Sequence, residues 1–214
     1  VTGRTTPTGA RRTQGERRAA TTQALLEASL ECLLQDGYGG LSTRRVAARA
    51  GVSPATLRFY FPTRAQFISA AVERMAVELR GEIATLSLGA APPVERFRAA
   101  LDALWEVCNG PLFRVVSELS DAARRDEDAR DALGMAERVV TRQILESAAE
   151  LFPEDISKPR FGLLVDLAIS SMRGLAMFQP VTGRPQIDRR WEAIRDEVTA
   201  MYQELHDERK AVRR

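Results

Sequence analysis

With 214 residues, 44% of them apolar and 28% charged, the chain is long enough to bury a proper core and has the make-up of a soluble globular protein. The net charge of +2 hides a division: residues 1–80 hold twelve basic side chains against six acidic, the remainder nineteen against twenty-three. A single histidine (His206), two cysteines 76 residues apart (Cys32 and Cys108), and no Gly-rich phosphate loop or nucleophile–base arrangement argue against an enzyme, a metal centre or a cofactor.

Residues 1–16 are rich in Thr, Gly and Arg and lack sizeable apolar side chains beyond Val1, so they are expected to form a flexible basic arm. From Arg17 to Gln35 the pattern is helical, with Leu26, Leu30, Leu33 and Leu34 on one stripe and Gly37 as the stop. Ser42 is placed to cap a second helix running to Ala50. Gly51 then permits a tight turn, and Ser53 caps a third helix with Pro54 at its first position. Pro62 ends that helix and Thr63 opens a fourth through Phe67, Ile68, Val72 and Met75. Further helices are expected over Val94–Cys108, Leu112–Ala123, Ala129–Leu151 and Phe161–Phe178, with a last one from Ile187 to about Ala211. The fold class is therefore all-α, with no strand and no fixed-period repeat. The longest apolar stretch, Phe161 to Phe178, is interrupted by Asp166 and Arg173 and suits a buried helix better than a membrane span. No secretory signal is seen, and a cytoplasmic location with free thiols follows.

Helix, Gly-containing turn, short helix is the helix-turn-helix plan, whose second helix enters the DNA major groove. Charge points the same way. Between Asp36 and Glu73 lie Arg44, Arg45, Arg49, Arg58 and Arg64 and not one acid, the footprint of a surface that meets a polyanion. Val52, Leu57 and Phe61 give the third helix a docking face. Small Pro54 and Ala55 allow close approach to bases, Thr56 offers a hydroxyl and a methyl, and Arg58 a guanidinium.

These residues resemble the TetR family of one-component transcription repressors over roughly residues 18–70. The match is carried by Gly37-Tyr38, Ser42-x-Arg44-x-Val46-Ala47, Ala50-Gly51-Val52-Ser53, Thr56-Leu57 and Tyr60-Phe61-x-Thr63-Arg64. The family usually has tyrosine where Arg58 stands and lysine where Arg64 stands. Arg64 then keeps the phosphate-binding charge of the fourth helix, while Arg58 has two readings, a charged phosphate contact or a base contact. The expected DNA-binding set is Ser42, Thr43, Arg44, Ser53, Pro54, Ala55, Thr56, Arg58, Tyr60, Thr63 and Arg64, within a helix-turn-helix domain over 17–64.

The resemblance implies that residues 65–214 form an effector-binding and dimerisation domain, so the partners would be a double-stranded operator, a second copy and a small molecule, with no membrane. Trp191, Ile194, Val198, Met201 and Leu205 are spaced 3, 4, 3, 4, a heptad seam. Together with Phe161, Val165, Ile169 and Met172 on the preceding, almost wholly apolar helix, they are expected at the dimer interface. Candidate pocket residues are Trp105, Cys108, Phe113, Met135, Met172 and Phe178, with Ser117, Thr141 and Asp166 as polar anchors. Repression, activation and ligand-independent DNA binding are all compatible with this pattern.

Overall fold

The computed structural model describes residues 13–84 and 91–212, so residues 1–12 of the expected arm lie outside the described residues. Ten helices occur among them: α1 (Gln14–Gly40), α2 (Thr43–Arg49), α3 (Pro54–Tyr60), α4 (Arg64–Ala84), α5 (Pro93–Cys108), α6 (Pro111–Ala122), α7 (Glu127–Leu151), α8 (Pro159–Met177), α9 (Gln179–Thr182) and α10 (Arg184–Val212). None is long and apolar enough to cross a membrane.

Local chemistry sets most of the borders. α1 begins three residues before the expected Arg17, because Thr13 and Glu16 close a capping box: the Thr13 amide donates to Glu16 Oε2 at 2.7 Å and the Glu16 amide to Thr13 Oγ1 at 3.2 Å. Ser42 and Ser53 cap α2 and α3 through their hydroxyls, which accept the Arg45 and Thr56 amides at 3.2 and 3.0 Å. Gly51, at φ 67°, turns the chain between them. Thr63 and Gln66 exchange side-chain and amide bonds at the mouth of α4. The short α9 precedes Gly183, at φ 83°, and α10 begins at Arg184, three residues before the expected Ile187.

Two hydrophobic cores result. The first joins α1–α3 to α4, α6 and the first half of α7: Leu25, Cys32, Val46, Leu57 and Ile68 share it with Leu119, Ala129 and Ala136. The expected border at residue 64/65 therefore does not coincide with a gap between cores. In α1 before the Gly37 turn the buried side chains are Leu25, Ala28, Ser29, Cys32 and Leu33, one position off the expected stripe, and Leu34 faces solvent. The second core is aromatic and holds α5, the end of α7, α8 and α10. Phe97 stacks on Tyr202 at 4.3 Å, with Phe152 and Phe161 edge-on around them, and Trp105 stacks on Trp191 at 5.3 Å.

That second core corrects the dimer seam. Trp191, Val198 and Leu205 are buried within the protomer, Ile194 packs half-buried against the same core, and Met201 is exposed. Phe161 and Met172 are likewise buried, and Val165 and Ile169 face the interior. A heptad seam between two helices of one chain has the same spacing as a seam between two chains. The apolar side chains left exposed on this side are others, chiefly Leu163, Leu167, Met177, Phe178 and Val181. Trp191→Ala should lower unfolding free energy by about 3–5 kcal/mol through the cavity it leaves, measured by urea denaturation monitored at 222 nm.

Candidate DNA interface and effector pocket

The five arginines of the acid-free stretch divide into two groups. Arg45 pairs with Asp36 at 3.2 Å and donates to the Gly40 carbonyl at 2.8 Å. Arg49 reaches Gln35 at 2.9 Å and lies 3.7 Å from Glu31. Arg64 is held as well. By contrast Arg44 and Arg58 are exposed, and among the described residues neither has a hydrogen bond or ion pair. With Pro54 and Ala55, also exposed, they make the outward surface of the helix-turn-helix. Ser42 and Ser53 are exposed but committed as caps, and Thr56 bonds hydroxyl to hydroxyl with Ser53 at 2.9 Å. Thr43 and Tyr60 are half-buried, and Thr63 is an exposed cap.

Arg64 departs most from the sequence reading. Its Nη2 donates to the Tyr38 and Leu41 carbonyls, each at 2.9 Å, and Nη1 lies 3.7 Å from Asp126 Oδ2. Its guanidinium also covers the Tyr38 ring, with Cζ 4.2 Å from the centroid. A guanidinium with this many internal acceptors is a structural clasp, whereas the side chains of Arg44 and Arg58 have no such partner among the described residues.

Tyr38 is the other half of the clasp. Its amide donates to Glu118 Oε2 at 2.7 Å, and its hydroxyl donates to Asp126 Oδ2 at 2.8 Å. Asp126 in turn caps α7 through the Ala129 amide at 3.3 Å. Four residues thus tie the α1–α2 corner, the start of α4, the end of α6 and the start of α7. Burial and then the bond to Asp126 push the Tyr38 phenol up to about 12, so it stays protonated as the donor. The Tyr38 hydroxyl, then the Ala129 amide, hold the Asp126 carboxyl below its usual 3.8. Gly37 makes the approach possible. Its φ of 64° and ψ of −176° lie where only glycine is comfortable, and a Cβ there would come 2.5 Å from Glu118 Oε2.

Below this clasp lies a cavity of about 140 Å³ walled by α4, α5, α6, α7 and α8. Its lining is mostly apolar: Leu79 of α4, Leu104 of α5, Val116 of α6, Ile144 of α7 and Ile169 of α8 are typical. Polar groups are few, namely Arg80, Gln143, Ser147, Arg173 and the Cys108 thiol. Arg80 is paired with Glu146 at 2.6 Å and with Glu150, and Arg173 with Glu137 at 3.3 Å. Burial pushes the Cys108 thiol up to about 11, which keeps it neutral. Of the nine expected pocket residues, Cys108, Phe113 and Met172 line the cavity. Trp105 is stacked on Trp191 and donates from Nε1 to Asp188 at 2.8 Å. Ser117 and Met135 are half-buried away from the lining, Thr141 and Asp166 face solvent, and Phe178 is 62% exposed at the end of α8. Arg80 and Arg173 escape a reading of the sequence because a charged residue on an amphipathic helix reads as surface.

Two expectations follow from the clasp. Gly37→Ala should cost on the order of 1–3 kcal/mol in backbone strain alone and push Glu118 off the Tyr38 amide, measured by urea denaturation. Because the Asp126 carboxyl is held low in the folded state, its stabilising contribution is present above its usual value of 3.8 and is lost as the pH falls through the lower folded value. The stability gap between the natural chain and Asp126→Asn should therefore close in acid, checked by denaturation at steps from pH 7 to pH 3.

Residues 25–71 match the family described as bacterial regulatory proteins, tetR family. An uncharacterised HTH-type transcriptional regulator of Mycobacterium tuberculosis is 31% identical over 83% of this chain and 91% of its own length. Among solved structures, a TetR-family transcriptional regulator from Mesorhizobium loti superposes with a TM-score of 0.66 at 19% identity, covering 86% of this chain and 97% of that one. The multidrug binding protein EbrR, complexed with imidazole, gives 0.59 at 22% identity, over 84% and 93%. Those two likenesses speak for the fold, and the sequence match carries the family: this chain is a DNA-binding transcriptional regulator of the TetR family.

Proposed function

We propose that the chain is a repressor that binds a palindromic operator as a homodimer and is released by a small, mainly apolar molecule. The observation that carries the reading is shared wiring. Helices α4, α6 and α7 each contribute to the cavity wall and each has one end at the clasp under the DNA-binding helices. A ligand that spreads these walls alters the distances that Tyr38, Arg64, Glu118 and Asp126 require, and so the pose of α2 and α3. EbrR, in its complex with proflavin, has the same fold, which supports a small molecule as the signal. Release demands that the ligand prefer the body whose heads are wrongly spaced for DNA.

At the DNA, α3 supplies the groove helix. Pro54, Ala55 and Thr56 approach base edges, Arg44 and Arg58 take phosphates or a guanine, and Ser42, Thr43, Ser53, Tyr60 and Thr63 frame the backbone contact. Arg64 acts through the clasp. The homodimer is supported by the outer face of α8, where Leu163, at 64% exposure, and Leu167 stand beside Gly162, Ser170 and Gly174, small enough for a partner helix to come close. A two-fold dimer presents two identical groove helices, hence half-sites about 34 Å apart or a multiple of it.

Two outcomes test this reading. Arg44→Ala and Arg58→Ala should each reduce the log–log salt slope of operator binding by roughly one unit for every phosphate left without its arginine, whereas Arg64→Ala should act first on thermal stability. A ligand found by thermal-shift screening should weaken operator binding by about 5–150-fold, and operator DNA should weaken that ligand by the same factor. Equal ligand affinity with and without operator would favour a ligand-independent DNA-binding protein.

A further inference from the structure

Ala55, Arg58 and Phe59 are spaced i, i+3 and i+4 and form one exposed face of α3. Phe59 is 74% exposed, and among the described residues it is the one large apolar side chain between Ser42 and Arg64 left in solvent. Its ring meets that of Tyr60 edge-on at 5.4 Å, and the high exposure leaves the rest of the ring open. The first core is complete without it. A phenyl ring has no hydrogen-bonding group, so it reads nothing on guanine, adenine or cytosine through donors and acceptors. In the major groove one base offers an apolar projection, the C5-methyl of thymine. The unpaired guanidinium of Arg58, one residue away on the same face, brings a polyanion to that ring.

We propose that Phe59 reads thymine, its ring packing on the C5-methyl of one thymine in each half-site. This adds an apolar, base-specific contact to the salt-dependent ones of Arg44 and Arg58, and it rests on α3 being the groove helix. A wet apolar ring next to a charged side chain is costly to expose in the free protein and is covered only when the right base is present, which makes it a discriminating contact.

The experiment uses the full chain and an operator selected by it from random duplexes. Each thymine of one half-site is replaced in turn by deoxyuridine, which removes the methyl alone. The natural protein should lose about fourfold in affinity at one thymine and little at the others, as expected for one buried methyl. Phe59→Ala should bind the parent operator more weakly with an unchanged salt slope, and should be indifferent to that same replacement. Phe59→Leu, still apolar, should recover part of the sensitivity. Both variants should melt at the temperature of the natural chain, since the ring packs so little against protein. If the natural chain and Phe59→Ala respond alike to every replacement, the proposal is overturned. Arg58→Ala separates the two ways of failing. Weakened binding in Arg58→Ala alone would keep α3 in the groove and remove only the thymine contact, whereas unweakened binding in both variants would remove the docking of α3 itself.

Discussion

One half-buried guanidinium ties the corner of the DNA-binding helices to the body of the molecule. Arg64 opens α4, yet its bonds run backward to the carbonyls of Tyr38 and Leu41 and sideways to Asp126. Those carbonyls belong to the corner that α1 leaves when Gly37 turns it. Such backbone groups need partners once they are out of water, and a planar fork that satisfies two at once is well suited to the task. Because Tyr38 bonds in turn to Glu118 and Asp126, the corner is held by helices from both halves of the chain. The geometry is discrete: a hydrogen bond of 2.7–2.9 Å tolerates little sliding before it breaks. A node of this kind has few intermediate states, which is what a switch between two poses needs.

The same scarcity of acids that marks the DNA-binding stretch explains how the node reaches so far in sequence. Between Asp36 and Glu73 there is no local carboxylate to neutralise an arginine. Arg64 therefore finds its acid 62 positions away, on Asp126, and Arg45 and Arg49 reach back to α1. Arg44 and Arg58 find none among the described residues and stay in solvent. One compositional feature thus produces both the long-range tie and the open charges.

Much of the architecture was legible because its signals are local. Ser42, Ser53, Gly51 and the prolines punctuate the chain with side-chain and backbone chemistry that acts within four residues. What was not legible depends on which neighbour a face meets. The spacing of Trp191, Val198 and Leu205 fixes an apolar seam but not whether the other side of it is α8 of the same chain or of another copy. The cavity is harder still, since Leu104, Val116 and Ile144 differ from ordinary core only in a gap between them. Arg64 stands where the resembled family usually has lysine, which implied a phosphate contact, and only the folded corner reveals the Tyr38 and Leu41 carbonyls it covers. Tyr38, in the Gly-Tyr pair that helps to mark the family, carried no hint of partners 80 and 88 residues on.

The continuity of the first core bears on how such regulators are assembled in evolution. Leu57 and Val46 of the DNA-binding helices lie in one packed unit with Ile68, Leu119 and Ala136, so no cut through the chain separates the helix-turn-helix from the helices behind it without opening that unit. A recombination event that joined residues 1–64 to a foreign body would keep Arg64 on the Tyr38 and Leu41 carbonyls but take Glu118 and Asp126 away from them. Viable exchange would have to carry α4 and the facing ends of α6 and α7 along. Point changes on the exposed face of α3, which no core residue shares, leave that unit intact, whereas shuffling heads between bodies opens it.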